Sequence, residues 1–226
     1  MLIFVYNHNT LQTERYNLNL TDPMPYVING SLTVREFRGS SRAGMVYTDM
    51  RAMQTWNRFR NFWGRAIPVG YVFKRIWEGG HGLQSQHYAG GSFDVAQGMP
   101  ATVRNEMRTS AIRFGGWSYV EPAYLTPTWV HFDWRLFPPA CSTGGYITVR
   151  RGSRGVYVMI LQDALNALGF NTNGLDGIFG DGTHNAMVRY QQANRLAADG
   201  ICGCQTWRSV CARAVGIGLT PTVVLP

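Results

Sequence analysis

One short phrase occurs twice near the end of this chain. DGIFGDGT fills positions 176–183 and DGICGCQT fills positions 199–206, sharing the pattern D-G-I-x-G-x-x-T. Two copies of a tight glycine turn this close together leave room for one helix between them, so the region must be short helices joined by equivalent turns. Ahead of the first copy, VMILQDALNALGF sets Leu161, Leu165 and Leu168 on one stripe and stops at Gly169. After it, Ala186, Met187 and Tyr190 share a face. Thr183 and Thr206 end the two copies just before helical patterning, and they read as N-caps because a threonine hydroxyl can accept from the first orphan N–H groups. The expectation is a small all-α three-helix domain over residues 148–215, with a tail at 216–226.

Upstream the pattern differs. LFPPACSTGG, from residue 136 to 145, is rich in proline, glycine and small residues, and it marks a linker over 137–147. Residues 1–136 mix strand-like LIFVY, SLTVREF, AIPVGYVF (a central strand) and TWVHFDWRLF with helical DMRAMQTWNRFRNFWG and PATVRNEMRTSAIRFGG. That is an α+β domain. The opening MLIFVYNHNT has no basic region and no small-residue cleavage site, so it reads as a strand and not as a leader. Synthesis in the cytoplasm without a signal peptide is the expectation.

With 45% hydrophobic and 15% charged residues the composition is that of a folded globular protein, and no apolar run approaches the ~20 residues that span a bilayer. A net charge of +8, almost all of it arginine, favours an anionic partner such as a cell wall. The positive residues are dispersed, which argues against a nucleic-acid-binding tail. The chain reads as a monomer with neither a nucleic-acid nor a membrane partner. Three of the four cysteines (Cys202, Cys204 and Cys211) crowd together, with Cys141 apart. They could bind metal or form one disulfide; buried thiols are the simpler reading, since a reducing compartment keeps thiols reduced.

The stretch from Arg151 to Trp207 resembles the small three-helix peptidoglycan-binding domain of wall hydrolases. The matching residues are the R-G-S-x-G opening, Leu161-Gln162, Leu168-Gly169, both D-G-I-x-G turns, Tyr190-Gln191 and Thr206-Trp207. The groove near the turns, around Asp176, Phe179, Tyr190 and Trp207, is the expected wall-binding site.

SQHYAGGSFDV, residues 85–95, poses a question of geometry. His87 and Asp94 would share a face on a helix, but Gly90-Gly91 makes a helix costly. On an unbroken strand their odd separation would point them to opposite faces. A glycine turn removes that parity and lets both converge. Zinc accepts imidazole nitrogen and carboxylate oxygen, and catalytic sites need a third protein ligand. In TWVHFDW, His131 lies on the strand face shared by Trp129 and Asp133.

SQHYAGGSFD fits S-x-H-x-x-G-x-[AS]-x-D and WVHFD fits the later x-V-H-x-D of the zinc D-alanyl-D-alanine carboxypeptidase family. That family includes vancomycin-resistance dipeptidases and phage L-alanyl-D-glutamate endopeptidases, and it is related to the Hedgehog domain. The resemblance covers about residues 30–135. It implies an α+β zinc peptidase domain with Zn²⁺ on His87, Asp94 and His131. Two positions depart from the pattern. Val72 stands where many relatives have a substrate-contacting arginine, leaving Lys74, Arg75 or Arg51 as substitutes. Thr128 stands where many carry the catalytic carboxylate, leaving Glu121 and Asp133, of which Glu121 is preferred as base and Asp133 as the acceptor that orients His131. The combination implies hydrolysis of an amide in the peptide stem or cross-link of bacterial peptidoglycan, in the manner of a phage endolysin acting at the cell wall. A bacterial autolysin, a D,D-carboxypeptidase and a non-catalytic wall-binding protein are the alternatives.

Overall fold

The computed structural model describes residues 1–218, so residues 219–226 of the expected tail lie outside the described residues. Helix α2 (Met50–Trp63) forms where the apolar spacing placed it: the Asp49 carboxylate accepts from Arg51 N–H at one end and Gly64, at φ 72°, stops it at the other. It turns Trp56 and Phe59 inward, and with α3 (Ala101–Phe114) it covers a four-stranded antiparallel sheet of order β4-β5-β7-β6. These strands are β4 (Val69–Tyr71), β5 (Ser92–Val95), β6 (Tyr119–Val120) and β7 (Val130–Asp133). In β5 and β7, Phe93 lies opposite Phe132 and Asp94 opposite His131. Successive strand residues face opposite sides. The phenylalanines therefore point at α2, where Trp56 stacks on Phe93 and Phe59 meets Phe132 edge-on, both at 4.9 Å between centroids. Each such pair contributes ~0.5–1.5 kcal/mol beyond its buried area. Asp94 and His131 are left on the other face.

Two expected strands come out differently. SLTVREF is not a strand: Val34–Arg38 is a short helix, α1, because Thr33 and Glu36 form a reciprocal capping box. AIPVGYVF yields only the short β4, at the edge and not the centre of its sheet. Pro68 has no N–H to give a ladder, which suits an edge. A second sheet of order β2-β1-β3 joins β1 (Leu2–Asn7), β2 (Gln12–Asn17) and β3 (Met45–Asp49).

The chain folds as two units, and neither is contiguous in sequence. Met1–Val5, Glu14–Lys74 and Ala89–Arg135 form the first; Tyr6–Thr13, Arg75–Tyr88 and the described residues from Leu136 onward form the second. A single cut between a domain at 1–136 and a domain at 148–215 is therefore redrawn: the stretch just before His87 packs with the C-terminal helices. A buried ion pair is one of the links. Arg75 donates through Nε and Nη2 to both oxygens of Asp163, and neither side chain is more than 4% exposed.

The second unit holds α4 (Val156–Ala167), α5 (Asp181–Ala193) and α6 (Cys204–Ala214). The repeated phrase is explained by two buried glutamines. Gln162 Nε2 donates to Asp176 Oδ1, Ile178 O and Thr183 Oγ1, while its Oε1 accepts from the N–H groups of Asp176 and Gly177. Gln191 does the same for the second copy, reaching Asp199 Oδ1, Ile201 O, Thr206 Oγ1 and Gly200 N–H. Gly177 and Gly200 sit at φ 74° and 71°, which glycine adopts without strain. Thr183 and Thr206 are thus not N-caps. The caps are Gly180 and Gly203, and the threonines sit inside the first turns, committed to the glutamines.

Residues 137–147 are not a free linker. Cys141 is disulfide-bonded to Cys204, Ala140 N–H donates to Tyr146 O at 2.8 Å, and Tyr146 is buried. The reading of four thiols is corrected accordingly: one disulfide forms, and Cys202 and Cys211 remain as buried thiols.

Candidate metal centre

The Gly90-Gly91 pair exists because backbone must pass where side chains cannot. Gly90 has φ 63°, and a Cβ there would lie 2.3 Å from Tyr47 O; one on Gly91 would lie 2.7 Å from Trp134 O. Thr48 Oγ1 donates to Gly90 O at 2.7 Å and fixes the turn. His87 precedes this turn on a 3-10 helix, Gln86–Ala89, and Asp94 follows it on β5. The turn is as the parity argument required, although its first arm is a 3-10 helix and not a strand.

His87, Asp94 and His131 each present one ligand atom, and these atoms lie within 4.8 Å of one another. His87 is buried, and the other two are half-buried. Two imidazoles and one carboxylate form a donor set that suits zinc with a fourth position left for water or substrate. His131 Nδ1 lies 2.7 Å from Asp94 Oδ1, and Nε2 lies 3.4 Å from Asp133 Oδ2. Burial opposes protonation of His131, but the hydrogen bonds its ring donates to Asp133 and Asp94 outweigh it and lift its pKa to about 9. A proton and a metal ion therefore compete for this ring.

The two candidate carboxylates are placed differently. Asp133 is 1% exposed and is gripped by Arg135, whose Nε donates to Oδ1 at 2.7 Å and whose Nη2 donates to Oδ2. A carboxylate held in this way is suited to orienting an imidazole and poorly suited to shuttling protons. Glu121 is half-buried, and its N–H donates to His131 O at 2.9 Å. The ladder that pairs Tyr119 with Asp133 and Val120 with Phe132 thus continues with Glu121 opposite His131. Directly opposed residues share a face, with Cβ atoms about 4.5–5.5 Å apart. In backbone register, Asp94 on β5 and Glu121, just beyond the end of β6, both lie opposite His131 on β7.

The positions that depart from the resemblance separate as well. Val72 is buried, and Arg75 is committed to Asp163, which removes it as a substrate-facing cation. Arg51 donates to Asp49 at 2.9 and 3.0 Å and lies 4.7 Å over the Trp134 ring. Lys74 is half-buried and Thr128 exposed. Sequence reasoning missed Arg135, whose signal was the D-x-R spacing along one strand face. It also missed His81, whose ring stacks on His87 at 4.3 Å.

The residues expected to form a wall-binding groove lie mostly inside. Phe179, Tyr190 and Trp207 are at most 1% exposed, and the Oδ1 of Asp176 is occupied by Gln162 and Ile178 N–H. The aromatics build the core, so in this conformation they offer no surface to a glycan or peptide.

Residues 154–210 match the family model described as a putative peptidoglycan binding domain. Over 53 residues the chain is 55% identical to the N-acetylmuramoyl-L-alanine amidase CwlM of Mycobacterium tuberculosis, covering 24% of this chain and 13% of that protein. Over 58 residues it is 40% identical to a spore cortex-lytic enzyme of Bacillus cereus, covering 26% and 22%. Among solved structures, a peptidoglycan-binding protein from Clostridioides difficile in complex with glutamine hydroxamate is 41% identical, with 28% of this chain and 39% of that chain covered and a TM-score of 0.27. The chain spans less than a quarter of the length of the two curated relatives. Among the described residues no helix is long and apolar enough to cross a membrane.

Proposed function

We propose that this protein is a zinc-dependent hydrolase of an amide bond in the peptide stem or cross-link of bacterial peptidoglycan, held at the wall by the domain at 154–210 as an endolysin would be. The observation that carries the reading is the meeting of three ligand atoms, from His87, Asp94 and His131, within 4.8 Å. The matched domain supports peptidoglycan as the partner. The names of the two curated relatives support cell-wall hydrolysis. A disulfide fits the oxidising environment outside a cell.

His87, Asp94 and His131 would hold the zinc ion, which supplies Lewis acidity at the scissile carbonyl. Glu121, opposite His131, accepts a proton from the attacking water as the new C–O bond forms, and returns it to the amine nitrogen as the C–N bond breaks. Asp133 orients the His131 imidazole, and Arg135 holds Asp133 in place. Tethering through 154–210 raises the effective concentration of enzyme at an insoluble substrate.

The test separates the two carboxylates. Glu121→Gln is expected to keep zinc and fold while kcat drops by about 10²–10⁴. Asp133→Asn is expected to weaken zinc affinity by about 10–100-fold. Near-normal turnover in Glu121→Gln, beside a zinc-loaded but inactive Asp133→Asn, would reverse the assignment.

A further inference from the structure

Metal affinity depends on how firmly each ligand is aimed before the ion arrives. Asp94 and His131 sit on paired strands. His87 sits on one turn of 3-10 helix, an element with poor intrinsic stability. Its aim must come from elsewhere, and the three residues before it show where.

Each of Gln84, Ser85 and Gln86 is gripped by one of two tyrosines from the C-terminal part of the second unit. Tyr146 N–H donates to Gln84 Oε1 at 3.0 Å, and Tyr146 OH donates to Ser85 O at 2.8 Å. Tyr157 OH donates to Gln86 Oε1 at 2.9 Å and itself accepts from Leu136 N–H at 3.2 Å. The chain of bonds ends at the ligand, since His87 N–H donates to Ser85 Oγ at 3.2 Å. Tyr157 and Gln86 are both at least 96% buried, so water cannot take over the bond between them. The two rings pack at 5.2 Å, and Tyr146 packs edge-on against Trp207 at 4.9 Å, which ties the pair to α6. Tyr157 lies on the first turn of α4, within the segment that matches the peptidoglycan-binding family.

We infer that Tyr157 and Tyr146 are positioning residues for the metal centre: their hydroxyls fix Gln86 and Ser85, and so aim His87 at the ion. The inference rests on His87 being a zinc ligand. On this account the C-terminal helices do more than tether the enzyme, because they build one arm of its metal site.

The test uses full-length Tyr157→Phe and Tyr146→Phe, which keep the rings and delete only the hydroxyls. Zinc affinity is measured by competition with a chromophoric chelator, and thermal unfolding is followed for the metal-free proteins. Each variant is expected to bind zinc about 10–100-fold more weakly, the usual effect of losing a ligand-orienting partner. Thr172→Val provides the control. It removes a buried hydrogen bond to Gly174 O elsewhere in the same unit, and is expected to lower the unfolding temperature without changing zinc affinity. Wild-type affinity in both tyrosine variants overturns the positioning role, and so does an equal loss in Thr172→Val. If the wild type itself binds no zinc, the metal centre fails first, an outcome these measurements distinguish.

Discussion

Replacing Asp163 with alanine strands a charge. The Arg75 guanidinium is 4% exposed and donates through two nitrogens to a carboxylate that is wholly buried. Once the carboxylate is gone, the buried cation loses the counter-charge and the two hydrogen bonds that Asp163 supplied. Removing one partner of a buried pair costs about 3–5 kcal/mol. Against a typical domain stability of ~5–15 kcal/mol, that leaves the second unit marginal. The Arg65–Glu106 pair is the internal reference, with both side chains more than half exposed. Glu106→Ala is expected to stay within the ~0–1 kcal/mol of a surface pair. Urea unfolding followed by tryptophan fluorescence at fixed m gives both values. A second arm replaces both partners, as Arg75→Met with Asp163→Leu, and should recover most of the loss because no buried charge remains. The reasoning is refuted if Asp163→Ala lies within about 1 kcal/mol of wild type, or if the double variant is as unstable as the single one.

Three further outcomes are expected. The Cys141–Cys204 bridge spans 63 residues, and the loss of chain entropy implies about 4 kcal/mol of stabilisation, so Cys141→Ser should lower the urea midpoint clearly; an unchanged midpoint contradicts it. Burial pushes the Cys211 thiol up to about 12 and Cys202 well above its usual value. Both should react with a thiol reagent at pH 8 only after unfolding. Because the unfolded thiols ionise near 9 while the folded ones stay protonated, their stabilisation is full below that pH and is lost as pH rises toward 12. A native protein that reacts rapidly, or a urea midpoint that does not fall between pH 8 and 10.5, argues against this. Finally, a chain truncated after residue 136 lacks Asp163, Tyr146 and Tyr157, the partners of Arg75 and of Gln84 to Gln86, and should not bind zinc. Stoichiometric zinc on that fragment would show that His87 needs no support from the C-terminal helices.

How far the sequence revealed this molecule depended on whether the deciding interaction was local. Helix α2 was legible because its apolar spacing, Asp49 cap and Gly64 stop all lie within one stretch. The Gly90-Gly91 turn was legible because two polar residues at odd separation demanded it. The Thr33-Glu36 capping box was equally local and was passed over in favour of the β-branched composition around it. Arg75 and Asp163 lie 88 residues apart, and nothing near either one announces the other. The same distance problem concealed the assignment of residues 75–88 to the C-terminal unit and the pairing of Cys141 with Cys204. Phe179, Tyr190 and Trp207 were expected around a wall-binding groove and are buried, because a sequence shows that a residue is large and apolar but not which side of a three-helix unit it faces. The glutamines behind each repeated turn were visible as residues and opaque as roles, since the five hydrogen bonds of Gln162 and the four of Gln191 are gathered only by folding.

The most direct measurement is the release of free amino groups from purified sacculi by the full-length protein, first stripped of metal with a chelator and then given one equivalent of zinc. Zinc-dependent hydrolysis at His87, Asp94 and His131 predicts no release from the stripped protein, recovery on adding zinc, and no recovery in a His87→Ala and His131→Ala double variant. Equal release by the stripped and reloaded proteins would contradict it, as would full recovery by the double variant, or binding to sacculi with no release under any condition.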